Sequence, residues 1–197
     1  MIRCLRESGY RRQRWKNGRG WTTEIARNPA GSDDPFRWRI SVADIERDGA
    51  FSTYPGTDRI LLLLAGNGIE LAITGRSEPV RLLMPHAQFR FPGDTRIHCR
   101  LLDGPTRDFN VMYRRGVIDA EVETRRLDGA SELIGVSESL LYVSEGEITT
   151  NAEDSTIVAR TGETLHVDLR DRSFGTLRFA GKATLVVVKL TEVHTTI

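Results

Sequence analysis

The segment spanning residues 15–25 carries an unusual concentration of side chains that can bind a small molecule. It includes Trp15, Lys16, Asn17, Trp21 and Glu24, and two glycines lie among them. A lysine beside an amide can bind an anion, while tryptophans supply a flat apolar wall for a ligand. The same residues also suit a glycine turn between two strands, with aromatic rings covering the mouth of a barrel. The residues alone favour neither interpretation.

A second candidate group lies on a strand with clear alternation. In residues 36–43 the large side chains, such as Trp38, share one face, while Arg39 and Ser41 share the other. That second face is either exposed to solvent or lines the interior of an open barrel. An arginine inside a barrel needs a carboxylate partner, from the protein or from a ligand. Periodicity alone favours solvent exposure.

Arg59 and Asn110 complete the set of candidate binding residues. Arg59 follows Asp58 at the start of the most apolar run, where the two residues either form a local ion pair or mark a barrel rim. Asn110 and Met112 fall on one face of a later strand. An amide on a strand is also a common structural feature, so these residues gain meaning only in combination.

Metal and nucleophile chemistry require arrangements that this sequence does not contain. A mononuclear metal site in a small barrel typically combines His-x-His with a glutamate and a later histidine. The histidines are His86, His98, His166 and His194, and no two of them are separated by one residue. Neither a G-x-S-x-G nucleophile turn nor a G-x-x-x-x-G-K-[ST] phosphate loop is present. We therefore expect no metal and no cofactor.

The charge and hydropathy of the chain argue against nucleic acid and membrane partners. A net charge of +1 gives no overall attraction to a polyanion. A basic stretch from Arg3 to Arg19 comes without a recognition helix or zinc motif. The longest apolar run, residues 60–65, is far shorter than the ~20 residues needed to cross a bilayer. We expect a cytoplasmic protein whose Cys4 and Cys99 are free thiols.

Most of the chain has the period-two pattern and the turn signals of β-strands. The best candidate for a short helix is residues 129–136, where apolar residues recur at helical spacing, although a short glycine-bounded segment also suits a single turn. A strong turn signal, Gly66-Asn67-Gly68, separates two of the predicted strands. The predicted strands cover residues 36–43, 58–65, 69–73, 80–84, 97–102, 109–113 and 117–126.

The second half of the chain repeats the order of the first at a spacing of roughly 75 to 80 residues. Residues 139–148 echo residues 60–69, and each half closes with an apolar strand. Strand, glycine turn, return strand and a second hairpin is the order of a cupin barrel, which is a jelly-roll variant. The repeat therefore predicts an all-β bicupin with lobes at 1–115 and 116–197, although a single β-sandwich is an alternative.

Several of these segments in combination resemble the HutD/Ves family, over roughly residues 10 to 190. Tyr54 stands where phenylalanine is common in that family, and Arg19 where glycine is common, but neither departure removes a candidate contact. The resembling motifs are Trp15-Lys16-Asn17-Gly18, Trp21-Thr22-x-Glu24-Ile25, Phe36-x-Trp38-Arg39-Ile40-Ser41-x-Ala43, Asp48-Gly49-x-Phe51-Ser52-x-Tyr54-Pro55-Gly56-x-Asp58-Arg59, Leu64-x-Gly66-Asn67-Gly68, Phe91-x-Gly93-Asp94 and Asp108-Phe109-Asn110-Val111-Met112-x-Arg114-Arg115-Gly116.

The resemblance implies a metal-free bicupin that accompanies histidine-utilisation enzymes and has a ligand-binding role that limits flux. The implied ligands are small acids such as urocanate or formylated glutamate derivatives. Our leading hypothesis is a binding protein whose first lobe, 1–115, holds such a carboxylate, while the second lobe is structural or an interaction surface. The ligand-binding residues would be Trp15, Lys16, Asn17, Trp21, Glu24, Arg39, Ser41, Arg59 and Asn110.

Two alternatives remain open at this point. The first is a metal-independent isomerase or hydrolase of a related small acid, in which Glu24, Asp94 or His86 would act as acid or base. The second is a regulatory protein whose basic N-terminal arm contacts a partner. A homodimer is also compatible with the expected exposed strand edges.

Overall fold

A computed structural model describes residues 1–15, 18–31, 35–83, 86–152, 155–169 and 175–193. Their regular secondary structure is nearly all β, as predicted, and its helical part is a single 3₁₀ turn at Glu7–Gly9. No helical segment in this part of the chain has the length and apolar character needed to cross a bilayer. The strands are β1 (Ile2–Leu5), β2 (Arg11–Arg14), β3 (Gly20–Asn28), β4 (Trp38–Ile45), β5 (Gly49–Ala50), β6 (Thr57–Ala65), β7 (Ile69–Ile73), β8 (Val80–Leu82), β9 (Gln88–Pro92), β10 (Ile97–Leu101), β11 (Thr106–Arg114), β12 (Ile118–Val136), β13 (Glu138–Ala152), β14 (Ser155–Arg160), β15 (Thr164–Asp168) and β16 (Gly175–Glu192).

The first lobe, residues Arg11–Ile118, consists of two antiparallel sheets. One sheet has the order β2-β3-β4-β11-β6-β9 and the other the order β5-β10-β7-β8. Leu61 and Leu63 on β6 project from the first sheet into a core that includes Leu71 and Ile97 of the second sheet. Each fully buried leucine contributes about 2 kcal/mol to the free energy of folding, so this core holds the two sheets together.

The predicted turn at Gly66-Asn67-Gly68 is present between β6 and β7. Gly66 and Gly68 have φ angles of +96° and +113°, which L-residues with a side chain rarely adopt. A Cβ atom on Gly68 would lie only 2.9 Å from the carbonyl oxygen of Leu82. Both the backbone conformation and the close approach of β8 therefore require glycine at this position.

The second lobe contains residues Met1–Tyr10 and Asp119–Ile197. Its described sheet has the order β1-β15-β13-β16-β12, and β14 pairs with β13. The long strands β13 and β16 pair along most of their length, from Glu138 opposite Leu190 to Thr150 opposite Phe179. Their inward side chains form an apolar core around Leu141, Leu165 and Val187.

The internal repeat predicted from the sequence is visible in how the strands pair. β13 pairs with β14, β15 and β16 in the same way that β6 and β7 together pair with β8, β9 and β11. A β-bulge aligns the two lobes residue by residue. Leu63 pairs with Asp108 immediately before the register shift in the first lobe, and Val143 pairs with Leu185 immediately before it in the second.

Two predictions about local organisation were wrong. The first ten residues belong to the second lobe rather than to a lobe at 1–115, because β1 pairs antiparallel with β15. Residues 129–136 form part of β12 rather than a helix. Leu133 is 2% exposed and the adjacent Ile134 is 71% exposed, which is the alternation of a strand, whereas a helix would place both residues on one face.

Candidate functional site

A polar patch lies on the inner face of the larger sheet in the first lobe. Arg39 and Ser41 of β4 point to the same face as Ile45, which packs in the core between the sheets. This face is therefore the interior of the lobe and not the solvent-exposed face that periodicity favoured. The neighbouring strand β11 contributes Asn110, which pairs with Ser41, and Met112, which pairs with Arg39.

This patch lines a cavity of about 460 Å³, a volume suited to a small molecule. The backbone and side chains of the loop after β5 close one wall with aromatic rings, and Trp15 lies at another wall. The cavity is thus polar on its sheet side and partly apolar elsewhere. The lining residues are Gln13, Arg14, Trp15, Thr22, Arg39, Ser41, Ala43, Ala50, Phe51, Ser52, Thr53, Tyr54, Arg59, Asp108, Asn110 and Met112.

Arg59 is the buried cation of this cavity, with only 5% of the residue exposed. Its Nη1 donates to the carbonyl oxygen of Ser52 at 3.1 Å, and its Nε donates to Oδ1 of Asn110 at 3.4 Å. Burial lowers the pKa of Arg59 to about 10, so the guanidinium remains charged at neutral pH. Within the described part of the chain, no carboxylate lies within ion-pair distance of it.

Aromatic rings hold the Arg59 guanidinium in place. Its central carbon lies 5.0 Å from the ring centroid of Phe91 and 5.6 Å from those of Phe51 and Tyr54. Cation–π contacts of this kind are worth about 0.5 to 2 kcal/mol each and favour a desolvated cation. They position the charge without neutralising it, which leaves Arg59 able to bind an anion.

Asp108 lies on the same face of β11, two residues before Asn110, and is 1% exposed. The Asn110 side chain stabilises its ionised form, while Oδ1 has no hydrogen-bond partner among the described residues. Burial raises the pKa of Asp108 to about 7, against the opposing attraction of Arg59. The cavity therefore contains an acid that exchanges its proton near neutral pH.

Arg39 differs from Arg59 because the protein supplies its partner. Its Nε donates to Oε2 of Glu24 at 2.5 Å, and the two side chains are 16% and 15% exposed. Glu24 contacts Arg39 and is not among the residues that line the cavity. This carboxylate fulfils the requirement for a partner that the sequence suggested, so Arg39 does not need a ligand to be neutralised.

The two tryptophans of the first candidate segment have different environments. Trp15 lines the cavity, and its Nε1 donates to Oγ1 of Thr22 at 2.7 Å. Trp21 does not line it, because its ring lies against the guanidinium groups of Arg12 and Arg14, at 4.7 and 5.3 Å. Trp15 can therefore contact a ligand directly, whereas Trp21 supports the basic edge strand β2.

Among the nine candidate residues, the structure brings together five at this cavity. Two others, Trp21 and Glu24, lie outside its lining. The last two, Lys16 and Asn17, lie outside the described residues. The five that line the cavity are Trp15, Arg39, Ser41, Arg59 and Asn110.

The acid–base candidates of the alternative hypothesis are not at this cavity. Asp94 accepts a hydrogen bond from Arg115 at 2.9 Å, which lowers the pKa of that exposed carboxyl group. Neither Glu24 nor His86 is among the lining residues. Asp108 is the acid that sequence reasoning missed. It shares a face with Asn110 by the period-two rule, but its position after Gly104 and Pro105 suggested a turn.

The described histidines and acids do not cluster in a way that could hold a metal ion. Across the ranges that the structure describes, no group of three or more histidine, cysteine, aspartate or glutamate side chains comes together. His166 lies in the second lobe, where its Nε2 is 3.2 Å from Oε1 of Glu138 and its Nδ1 is 3.2 Å from Nη2 of Arg3. His194 lies outside the described residues.

The second lobe has apolar residues at the positions equivalent to the polar patch. The shared bulge aligns Asp108 with Leu185 and, two residues further, Asn110 with Val187. Both Leu185 and Val187 are fully buried in the core of the second lobe. A groove of about 870 Å³ does occur in that lobe. Its charged side chains, such as Arg160 and Glu147, are largely exposed and pair with each other.

Comparison with known proteins gives the family. The HutD family model matches residues 7–187. An uncharacterised 21.2 kDa protein from the hutC 3' region of Pseudomonas putida is 40% identical over 140 residues, which make up 71% of this chain and 72% of that protein.

Solved structures agree over nearly the whole chain. A conserved protein of unknown function from Pseudomonas aeruginosa PAO1 has a TM-score of 0.84 and 32% identity, covering 96% of this chain and 98% of that one. HutD from Pseudomonas fluorescens SBW25, solved in a formate condition, has a TM-score of 0.81 and 30% identity, covering 98% and 99%.

A more distant structure bears on the fold alone. The bacterial pirin YhhW from Escherichia coli has a TM-score of 0.68 at 12% identity, covering 96% of this chain and 98% of that one. Its similarity agrees with the cupin-like architecture derived above from strand order. The family match over residues 7–187 and the structural matches over both lobes confirm the resemblance noted in the sequence. This chain belongs to the HutD family.

Proposed function

We propose that this protein binds a small carboxylate in the first-lobe cavity. The observation that supports the proposal is Arg59, a buried guanidinium at the cavity wall with no carboxylate partner in the described part of the chain. The nearby carboxyl group of Asp108 has a pKa of about 7 and is only partly ionised at neutral pH, so it compensates the buried charge incompletely. An anionic ligand that binds at Arg59 removes part of the remaining cost. A carboxylate suits a guanidinium because it can accept two parallel hydrogen bonds.

Other lining residues would orient the ligand. Ser41 and Asn110 lie beside each other on β4 and β11 and offer a hydroxyl and an amide group. Trp15 and Phe51, whose rings meet edge to face at a centroid distance of 6.4 Å, provide an apolar surface. A ligand with a carboxylate at one end and a planar or apolar part at the other fits this distribution of chemistry.

Family membership suggests the source of such a ligand. We propose that it is an acid of histidine catabolism, such as urocanate or a formylated glutamate derivative, and that binding regulates flux through that pathway. The relative from the hutC 3' region of Pseudomonas putida and the HutD structure obtained in a formate condition make formate a suitable first probe.

Calorimetric titration with formate, urocanate and N-formylglutamate tests the proposal. We expect heat of binding from at least one of them, and an affinity that falls by roughly 10- to 100-fold in Arg59→Gln, because a charged hydrogen bond is lost. Arg100→Gln is the matched control, since Arg100 is an exposed arginine of the same lobe that pairs with Glu70. The proposal fails if none of the three acids binds or if Arg59→Gln binds as tightly as Arg100→Gln.

One observation favours the alternative of a metal-independent enzyme. Asp108 faces the cavity and exchanges its proton near neutral pH, as a general acid or base must. Incubation of the protein with the same acids, followed by chromatography of the products, tests this alternative. Turnover that Asp108→Asn abolishes would support an enzyme, whereas binding without any product would support the binding protein.

A further inference from the structure

Three neighbouring polar side chains line the same wall of the cavity. Arg59 on β6 donates to Oδ1 of Asn110, and Asp108 lies two residues before Asn110 on the same face of β11. The Asn110 side chain and the Arg59 charge both stabilise the ionised form of Asp108. All three residues are at least 95% buried, so their charges interact in a medium where screening by water is weak.

The Oδ1 atom of Asp108 has no hydrogen-bond partner among the described residues, whereas in an ordinary buried hydrogen-bond network every polar atom has one. Buried carboxylate oxygens are nearly always hydrogen-bonded, so an oxygen without a partner at a cavity wall needs an explanation. Either the oxygen carries a proton that can be donated into the cavity, or it accepts a bond from something that enters. In both cases the protonation state of Asp108 depends on whether a ligand occupies the cavity.

The charged and titratable groups around Asp108 determine which of its protonation states is favoured. Arg59 on β6 attracts the ionised carboxyl group, whereas Asp44 on β4 repels it. Across the lobe, Cys99 on β10 carries a thiol whose pKa is raised to about 12, so it stays neutral. Arg59 is itself influenced by Arg39 on β4 and by Tyr54. The ionised form of Asp108 therefore depends mainly on Arg59.

We infer that the cavity takes up its anion together with one proton, and that Asp108 holds this proton in the complex. The inference rests on the proposed function, because it concerns the same cavity and the same carboxylate. The proton comes from the solvent and forms an O–H bond at the Asp108 carboxyl group. No other bond forms or breaks, and the net charge of the site is unchanged when the anion and the proton enter together.

Simple electrostatics gives the reason. An anion at Arg59 neutralises the cation that stabilises ionised Asp108 and adds a like charge beside it. Both changes disfavour the carboxylate and favour the protonated acid. The protonated acid can also donate a hydrogen bond into the cavity, which an ionised carboxylate cannot do.

Proton uptake has a size that calorimetry can measure. The pKa of Asp108 in the ligand-free protein is about 7, so Asp108 is ionised in about nine tenths of the molecules at pH 8. Binding therefore takes up as much as about 0.9 proton per molecule. The observed affinity consequently falls by as much as about tenfold for each pH unit above 7.

The experiment is a titration with formate at pH 8 in phosphate and in Tris, which have different ionisation enthalpies. The slope of the observed enthalpy against the buffer enthalpy gives the number of protons bound. We expect about 0.5 to 0.9 for the wild type and for the control Asp103→Asn, whose exposed side chain lies outside the cavity. We expect about zero for Asp108→Asn, and an affinity at pH 8 above that of the wild type, because its neutral amide needs no proton.

Three outcomes overturn the inference. If the wild type binds formate without taking up a proton, the coupling is overturned and the proposed function stays intact. The same holds if the wild type and Asp108→Asn take up equal numbers of protons. Absence of binding by formate, urocanate and N-formylglutamate at pH 6 and pH 8 overturns both. The wild-type measurement needs no variant, so absence of proton uptake overturns the coupling even if Asp108→Asn folds poorly.

Discussion

Arg39 and Arg59 pair with the same residue of β11, Met112, from opposite sides, yet only Arg39 has a carboxylate partner in the described part of the chain. Glu24 neutralises Arg39, whereas Arg59 is held by a carbonyl group, an amide and three aromatic rings. Two guanidinium groups at one level of a sheet thus have separate roles. Arg39 is neutralised within the protein, and Arg59 carries the charge that the proposed ligand would bind.

The ion pair between Glu24 and Arg39 leads to the first prediction. Glu24→Gln leaves Arg39 as an uncompensated charge that is largely buried, so we expect the free energy of unfolding to fall by about 2 to 4 kcal/mol. The added positive charge should also tighten the binding of formate. Urea unfolding and calorimetry measure the two effects. The double variant Glu24→Gln/Arg39→Met is the control and should recover most of the stability.

A second prediction concerns stability and pH. The pKa of Asp108 is about 7 in the folded state and near 4 in an unfolded chain, so the folded protein binds this proton more tightly. Its contribution to stability is fully present below about pH 4 and is lost as the pH rises to about 7. Asp108→Asn has no carboxyl group at this position and therefore does not lose this contribution as the pH rises. Relative to the wild type, it should gain up to about 4 kcal/mol between pH 4 and pH 8, as measured by urea unfolding at both pH values.

The difference in stability between the wild type and Asp108→Asn does not contain the titration of the other groups, because both proteins share them. A difference in stability that stays constant from pH 4 to pH 8 would show that Asp108 keeps an ordinary pKa. Leu185→Asn provides a second reference, because it places an amide at the equivalent position of the apolar second lobe. We expect it to lose several kcal/mol at every pH, since the amide finds no partner in that core.

Tryptophan fluorescence provides a third prediction. Trp15 lines the cavity and Trp21 does not, so a bound ligand should change the emission of Trp15 only. Titration of Trp21→Phe with a saturating anion should therefore give the wild-type change in fluorescence, and Trp15→Phe should give little or none. The reverse pattern would place the ligand on the outer side of β3.

The fourth prediction concerns the two thiols, which are free in the structure, as expected from the sequence. Burial raises the pKa of Cys99 to about 12, so its thiolate is essentially absent at pH 8. Cys4 is half-buried and its pKa is also raised, mainly by burial. Iodoacetamide at pH 8 should modify Cys4 slowly and Cys99 only after denaturation, as followed by peptide mass spectrometry. Rapid labelling of Cys99 in the folded protein would contradict its burial.

Much of the fold could be predicted because local patterns specify it. Alternation identified β4, apolar character identified β6, and two glycines at positive φ marked the turn between β6 and β7. The repeat of these patterns gave the two lobes. The pairing of β1 with β15 could not be predicted in this way, because it joins strands at opposite ends of the chain and no local residue preference records it.

The site was harder to predict than the fold, for a physical reason. β4 is buried on both faces, with Trp38 2% exposed and Ser41 2% exposed, so hydrophobicity does not tell which face lines the cavity. In the structure, the polar face with Arg39 and Ser41 lines the cavity. Similarly, Trp15 and Trp21 look alike in the sequence, and only the pairing of β2 with β3 places them in different environments.

The position of β1 has a consequence for how the chain is made. Ribosomes synthesise proteins from the N-terminus, and domains tend to fold as they emerge. All strands of the first lobe are complete by Ile118, whereas β15, the partner of β1, follows only at Thr164–Asp168. β1 therefore cannot form its native pairing until residues 164–168 have been translated. The lobe with the polar cavity can therefore fold before the lobe to which the first ten residues belong.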